Sequence, residues 1–348
     1  MKESDVDVLH TKRCFRWFLT IICLIFGLIL TIIFAISIGP VDIPTGIVFK
    51  ILFQFPQSWP DKYSIIVMDV RLPRILLSAL VGSGLAVAGC AMQGLFKNPM
   101  ASPYILGLSS GAAFGASLAI VLGISLGTGV FAVPFMAFIF ALITIFLVYN
   151  IAKVRGRVPM ETLLLAGIAV GAFFSAQVSL MKYIAGEELR DLVFWLMGGF
   201  WASSWDRVAI AFPLILLGVA AIMFFSRDLN IMLMGEEHAL DLGIKVESVK
   251  KIILIFASLI TAAAVSVSGI IGFVGLIIPH IMRIIVGPDH RILLPSSCLV
   301  GAMFLIWTDT LARTMIQPTE LPVGIITASF GAPFFLYLLR RKKKVKWW

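Results

Sequence analysis

The sequence contains little charge and few polar stretches. Only 14% of its 348 residues are charged, while 60% are hydrophobic; soluble domains have about 25% charged and about 45–50% apolar residues. A soluble enzyme, a disordered chain and a nucleic-acid-binding domain are therefore excluded. The strict alternation of apolar and polar residues that an outer-membrane barrel needs is also missing. The composition predicts an all-α integral membrane protein.

Motifs for ATP binding and metal chemistry are missing too. The chain has no GxxxxGK[ST] loop and no HExxH helix, so neither ATP binding by a P-loop nor a zinc-peptidase site is predicted. The four histidines are dispersed and the four cysteines lack metal-ligand spacing. These cysteines are Cys14, Cys23, Cys90 and Cys298. We expect no metal, no cofactor and no catalytic residue on this chain.

One motif with a catalytic form is present. Residues 107–111, Gly-Leu-Ser-Ser-Gly, fit the G-x-S-x-G pattern of a serine nucleophile, and His280 lies in an apolar stretch that could supply a partner. Gly107, Gly111 and Gly115 also recur every four residues, a spacing typical of close helix packing. We favour packing and keep an intramembrane serine hydrolase as an alternative.

Apolar segments divide the chain into ten predicted spans, since a transmembrane helix needs roughly 20 apolar residues. The spans are 15–38, 64–96, 101–126, 130–151, 161–184, 208–225, 252–271, 273–286, 293–316 and 321–339. The apolar piece 193–201 is too short to span and is predicted to be an interfacial or re-entrant helix. We expect an N-terminal tail at 1–14, one ten-span domain at 15–339, and a basic tail at 340–348.

The distribution of basic residues predicts the orientation of these spans. With ten spans, both termini and 20 of the 28 basic residues lie on the same side. Loops rich in lysine and arginine stay in the cytoplasm, so both termini are predicted to be cytoplasmic. The net charge of +9 is explained in the same way.

Ionisable residues are rare within the predicted spans. Asp309 and Arg313 are four residues apart and could pair on one helix face; His280 and Arg283 lie toward the cytoplasmic side. Ion-coupled carriers and proton pumps use charged groups inside the membrane. An ion-coupled secondary carrier therefore remains only an alternative, and we expect the energy for transport to come from outside this chain.

The cytoplasmic segment 226–251 is the longest polar interruption. Within it, residues 236–242 predict a short helix between two glycines, with an apolar side and an acidic side. An exposed helix of this kind predicts docking to a partner; the alternative is a solvated connector. The apolar side carries Ala239, Leu240 and Leu242, and the acidic side carries Glu236, Glu237 and Asp241.

The stretch EEHALDLG at 236–243 resembles the coupling loop of permease subunits from ABC importers, of the iron-siderophore and vitamin B12 type. Similar motifs are spread over almost the whole chain, and together they are specific. They are RLPR at 71–74, QGLFKNPMA at 93–101, LGLSSGA at 106–112, FWLMGG at 194–199, GFVGLIIPH at 272–280, GPDHR at 287–291 and ELPVG at 320–324.

This resemblance implies a homodimer of ten-span subunits in the cell membrane. Two ATP-binding subunits, which hold ATP and Mg²⁺, would bind its cytoplasmic face. An extracytoplasmic binding protein would deliver a metal chelate such as a ferric siderophore, haem or a corrinoid. The residues implied to contact the ATP-binding subunits are Gly235, Glu236, Glu237, His238, Ala239, Leu240, Asp241, Leu242 and Gly243.

The resemblance also implies roles at the outer face. Arg71, Arg74 and Arg313 oppose the charge bias and match family positions that hold acidic groups of the binding protein. The alternative is that they snorkel to the lipid headgroups.

The fifth span and the following short helix are implied to lie beside the dimer axis. A stripe of small residues on that span could line the pathway or pack helices. The predicted pathway residues are Gly167, Gly171, Ser175, Trp195, Gly198 and Gly199.

Overall fold

The structure, a computed structural model, describes residues 3–53, 61–125, 131–316 and 318–341. Over these residues the chain is helical, and its only β-type pairing is an isolated bridge between Val154 and Arg157. The α-helices are α1 Glu3–Ser37, α2 Thr45–Phe53, α3 Asp61–Ile65, α4 Leu72–Leu95, α5 Leu108–Val121, α6 Ala132–Ala152, α7 Met160–Ile184, α8 Leu189–Met197, α9 Trp205–Phe224, α10 Ser226–Leu233, α11 Glu236–Asp241, α12 Val246–Ser268, α13 Val274–Val286, α14 His290–Thr314 and α15 Val323–Arg341.

Apolar helices coincide with the predicted spans. The described residues contain seven apolar helices long enough to cross a membrane: α1, the continuous stretch Lys62–Leu95 that ends with α4, α6, α7, α9, α12 and α14. Three shorter apolar helices, Leu108–Val121, Val274–Val286 and Val323–Tyr337, fall on the remaining segments. The all-helical membrane class is confirmed, whereas the count of ten spans stays a prediction.

Several boundaries differ from the predicted ones. The third segment is shorter because Gly107, with φ of 77°, separates a 3₁₀ turn at Pro103–Leu106 from α5. The short helix α8 ends earlier, at Gly198, whose φ of 69° terminates it. Residues 3–14 are helical and continuous with the span in α1, and the division into an N-terminal tail and one ten-span domain stays a prediction. Helix α15 extends to Arg341, and the rest of the predicted basic tail, 342–348, lies outside the described residues.

Helix α4 lies at the centre of the bundle, where it contacts α9, α12, α13 and α14. Glycine pairs allow these contacts: a Cβ atom on Gly82 would overlap the carbonyl oxygen of Gly301, and one on Gly89 would overlap that of Gly275. Membrane helices approach closely where both surfaces are small. Helix α1, in contrast, packs on α14 and leaves most of its apolar surface exposed.

Candidate functional site

The predicted docking helix is present as α11, and the chain holds it on one side only. Gly235 and Gly243 flank it with φ of 137° and 82°, values that L side chains rarely adopt. Ala239 is fully buried against the chain, so it is not part of the free apolar side that the sequence predicts. The exposed apolar side chains are Met234, Leu240 and Leu242, which are 73%, 58% and 67% exposed.

An ion pair fixes α11 to the next helix. Lys250, only 5% exposed, places Nζ 2.8 Å from a carboxylate oxygen of Glu236 and 3.1 Å from one of Glu247. Glu236 is thus engaged within the chain, whereas Glu237 and Asp241 point to solvent. Sequence reasoning missed Met234 and Lys250. The i,i+3 spacing of Glu247 and Lys250 was the available signal for the second.

A second polar cluster joins α10 to the bundle through Asp289, the N-cap residue of α14. Its carboxylate accepts hydrogen bonds from Arg291 at 2.6 Å, Asn230 of α10 at 2.8 Å and Arg13 of α1 at 3.2 Å. Burial raises the pKa of Asp289, but the hydrogen bonds from Arg291 and Asn230 outweigh it and lower the pKa to about 2. The carboxylate is therefore charged at neutral pH and links three helices.

At the predicted outer end, Arg74 bridges two acidic residues. Its Nη2 lies 2.8 Å from an Asp309 oxygen, and its Nη1 lies 2.9 Å from a Glu320 oxygen. Arg313 Nε lies 3.4 Å from the other Asp309 oxygen, so the predicted pairing of Asp309 with Arg313 is confirmed. The acidic residues, which sequence reasoning did not connect with Arg74, lie more than 230 positions away along the chain.

Two of the three arginines also donate hydrogen bonds to carbonyl groups at the C-terminal end of α1. Arg71 donates to the carbonyl oxygens of Ile36, Ser37 and Val41, and Arg313 donates to that of Ala35 at 3.2 Å. The last carbonyl groups of a helix lack partners within the helix. This arrangement supplies those partners.

Burial separates the outer arginines from the lipid headgroups. Arg71, Arg74 and Arg313 are 4%, 8% and 4% exposed, so the snorkelling alternative is wrong. Their binding of acidic groups from another protein stays a prediction, because the described contacts already occupy them. Glu320, whose side chain is 33% exposed, is the accessible member of the cluster.

A cavity of about 900 Å³ opens beside Glu320. Its wall carries three acidic side chains, two arginines and three aromatic rings. The acidic residues are Glu188, Asp191 and Glu320, the arginines are Arg190 and Arg207, and the aromatic residues are Phe194, Trp195 and Trp201. Trp195 and Gly199 are the predicted pathway residues that line this cavity.

The predicted glycines of the short helix join three segments. Gly199 donates its N–H to the Ser268 carbonyl at 2.8 Å, at the end of α12. The Gly198 carbonyl accepts from Gly324 N–H at 3.3 Å, at the start of α15. A Cβ atom on Gly198 would overlap the backbone of Ile270. These glycines therefore hold α8 against the break between α12 and α13.

The small-residue stripe of α7 packs helices at two of its three positions. Gly167 and Gly171 are buried, and a Cβ atom on Gly171 would lie 3.3 Å from Gly107 Cα. Ser175 is exposed, with its hydroxyl 3.1 Å from that of Ser110. A residue that lines a pathway must be exposed, and of these three only Ser175 is. Its role in the pathway stays a prediction.

Helix packing also accounts for the G-x-S-x-G motif. Gly111 and Gly115 lie against α6, where added Cβ atoms would overlap Thr144 and the Met136 carbonyl. This is the packing that the four-residue spacing predicts. Close packing therefore explains the glycines of the motif without a serine nucleophile.

The sequence matches the FecCD transport family over residues 27–341. The cobalamin import system permease protein BtuC of Halobacterium salinarum is 49% identical over 284 residues, which are 82% of this chain and 76% of that protein. The hemin transport system permease protein HmuU of Yersinia pestis is 38% identical over 92% of this chain and 96% of its own length.

A solved structure of a metal-chelate-type ABC transporter in an inward-facing conformation superposes with a TM-score of 0.82, at 35% identity. The match covers 92% of this chain and 98% of that one. These similarities confirm the predicted resemblance to importer permeases and, with the seven long apolar helices, the location in the cell membrane. The chain belongs to the FecCD transport family.

Proposed function

We propose that this chain is the permease subunit of an ABC importer that passes a metal chelate into the cytoplasm. It works as a homodimer of ten-span subunits with cytoplasmic termini, two ATP-binding subunits and an extracytoplasmic binding protein. Support for the substrate class comes from relatives whose names specify cobalamin and hemin import. Both are large metal complexes, and corrinoids, haem and ferric siderophores are the candidate substrates that we propose.

The observation that carries this proposal is the one-sided attachment of α11. Lys250 and Ala239 fix its inner side to the bundle, while Leu240 and Leu242 remain in solvent. Exposed leucines beside acidic residues fit a groove on another protein. A helix fixed to the bundle transmits a push as rigid-body movement of the helices behind it. ATP-driven closure of the partner subunits would supply that push.

Co-purification with the ATP-binding subunits tests the proposal. The double variant Leu240→Glu/Leu242→Glu should bind them at least about 100-fold more weakly, because burial of each leucine contributes about 1.5–3 kcal/mol. Val154→Glu, an exposed apolar position in the loop between α6 and α7, is the matched control and should bind normally. Equal binding by the double variant and the wild type would contradict the assignment.

Docking of the binding protein is proposed to occur by exchange at Arg74. Asp309 holds this arginine from the buried side, and the half-exposed Glu320 holds it from the other. A carboxylate of the binding protein could replace Glu320 without exposing Arg74 or disturbing Asp309. Arginine suits this exchange because its fork-shaped guanidinium binds carboxylates bidentately.

Removal of the competing carboxylate tests this exchange. Glu320→Gln should strengthen binding-protein docking up to about fivefold, the range of a partly exposed ion pair, with an altered salt dependence of the association rate. Surface plasmon resonance of the reconstituted permease measures both. Glu187→Gln, an exposed acid in the turn before α8, serves as the control. Unchanged or weaker docking of the Glu320 variant would count against Arg74 as the contact.

A further inference from the structure

An open cleft of about 430 Å³ lies at the predicted inner end, between α1, α10 and the loop that precedes α14. Three arginines converge on it: Arg13 of α1, Arg227 of α10 and Arg291 in the first turn of α14. Apolar side chains of α10, Ile231 and Leu233, complete its wall. The site is distinct from α11 and from the outer cavity.

The cleft carries an excess of positive charge. Asp289 is its acidic residue and pairs with Arg13 and Arg291, so three guanidinium groups face one carboxylate. Arg227 is exposed, and none of the described acidic side chains lies within salt-bridge distance of it. Since each guanidinium has five N–H donors, the paired arginines keep donors available for another anion.

The position of the cleft along α1 matches the level of lipid headgroups. Trp17 lies between two of the arginines, with its ring centre 4.8 Å from Arg13 Cζ and 5.2 Å from Arg291 Cζ. Tryptophan is enriched at the membrane–water interface. Phe15 and Phe18, on either side of Trp17 in the sequence, begin the exposed apolar surface of α1, the surface that we expect to face the acyl chains.

We propose that this cleft binds the headgroup of an anionic phospholipid. The phosphate would accept hydrogen bonds from Arg227 and from the free donors of Arg13 and Arg291, while the acyl chains lie along α1. Basic pockets between helices on the cytoplasmic side suit such headgroups. A zwitterionic headgroup fits less well because its cationic end would meet three arginines. The bound lipid joins α1 to α10, the helix that leads into the coupling segment.

Lipid retention by the purified full-length chain tests this site. Native mass spectrometry in detergent, with added phosphatidylglycerol or phosphatidylcholine, measures the apparent affinity for each lipid. Arg227→Gln should weaken phosphatidylglycerol binding about fivefold, the effect of one arginine near an anionic headgroup, and leave phosphatidylcholine unchanged. Arg157→Gln, an exposed arginine in the loop between α6 and α7, should bind both lipids as the wild type does.

Three results would overturn the proposal. The first is an equal loss of phosphatidylglycerol affinity in the Arg227 and Arg157 variants. The second is equal retention of phosphatidylglycerol and phosphatidylcholine by the wild type. The third is displacement of phosphatidylglycerol by inorganic phosphate at the same concentration. The last result would assign the arginines to a free anion. An unchanged thermal unfolding midpoint shows that the Arg227 variant remains folded, and the outcome does not depend on whether the chain couples to ATP hydrolysis.

Discussion

Asp309→Ala should lower the free energy of unfolding by about 3–5 kcal/mol, the cost of removing one partner from a buried ion pair. The carboxylate is 1% exposed and contacts Arg74 at 2.8 Å and Arg313 at 3.4 Å. Its loss leaves Arg313 without a carboxylate partner and Arg74 with only the half-exposed Glu320. Thermal unfolding of the purified chain in detergent measures the effect, together with the amount of folded protein in membranes.

Two variants separate this effect from a general change in charge. Asp309→Asn keeps the shape and one acceptor oxygen but removes the charge and the second acceptor, so its midpoint should lie between those of the wild type and the alanine variant. Asp191→Asn removes an exposed carboxylate of α8 and should change the stability by less than about 1 kcal/mol. A wild-type midpoint for Asp309→Ala would show that the outer ion-pair cluster does not stabilise the fold.

Gly243→Pro should strongly weaken coupling while the chain remains folded. Proline fixes φ near −65°, whereas Gly243 has φ of 82° and donates its N–H to the Leu240 carbonyl at 2.9 Å. The substitution therefore changes the end of α11 and moves the exposed Leu242. Coupling free energies between sites are about 1–3 kcal/mol, so uptake and substrate-stimulated ATP hydrolysis should fall roughly 5- to 150-fold. Both are measured with the complex in liposomes.

A glycine in another loop provides the matched control. Gly123, after the end of α5, has φ of 59° and, like Gly243, open space where a Cβ atom would lie; its N–H donates to the carbonyl three residues earlier, that of Ile120. Gly123→Pro introduces comparable backbone strain away from α11, so uptake should persist. Equal losses of uptake in the two variants would indicate general destabilisation of the chain. Normal uptake by Gly243→Pro would contradict the role of α11.

Local features of the sequence predicted most of the fold. Apolar length fixes the helical segments because the bilayer sets a minimum span, and glycines marked both ends of α11. The predicted helix boundaries were wrong where the backbone angle of a single residue ends or begins a helix, as at Gly107 and Gly198. A single glycine in the sequence is only a weak indication of positive φ, since glycine also occurs within helices.

Long-range pairing was the part that could not be predicted. Asp309 was paired with Arg313 because they are four residues apart, but its stronger contact is with Arg74, on another helix. The outer arginines therefore looked exposed when the fold buries them. In the same way, the sequence left open whether Gly167 and Gly171 line a pathway or pack helices, and only the fold places both beside Gly107. Such contacts depend on which helices are neighbours, and one sequence does not contain that information.

The central claim is that this chain moves solute only when ATP-binding subunits act on α11. Uptake by reconstituted liposomes tests this claim most directly. Liposomes containing the purified chain alone should not accumulate a chelate against a gradient, with or without a proton gradient. Addition of the ATP-binding subunits, the binding protein and ATP should start accumulation. Concentrative uptake by the chain alone would contradict the account and favour an ion-coupled carrier.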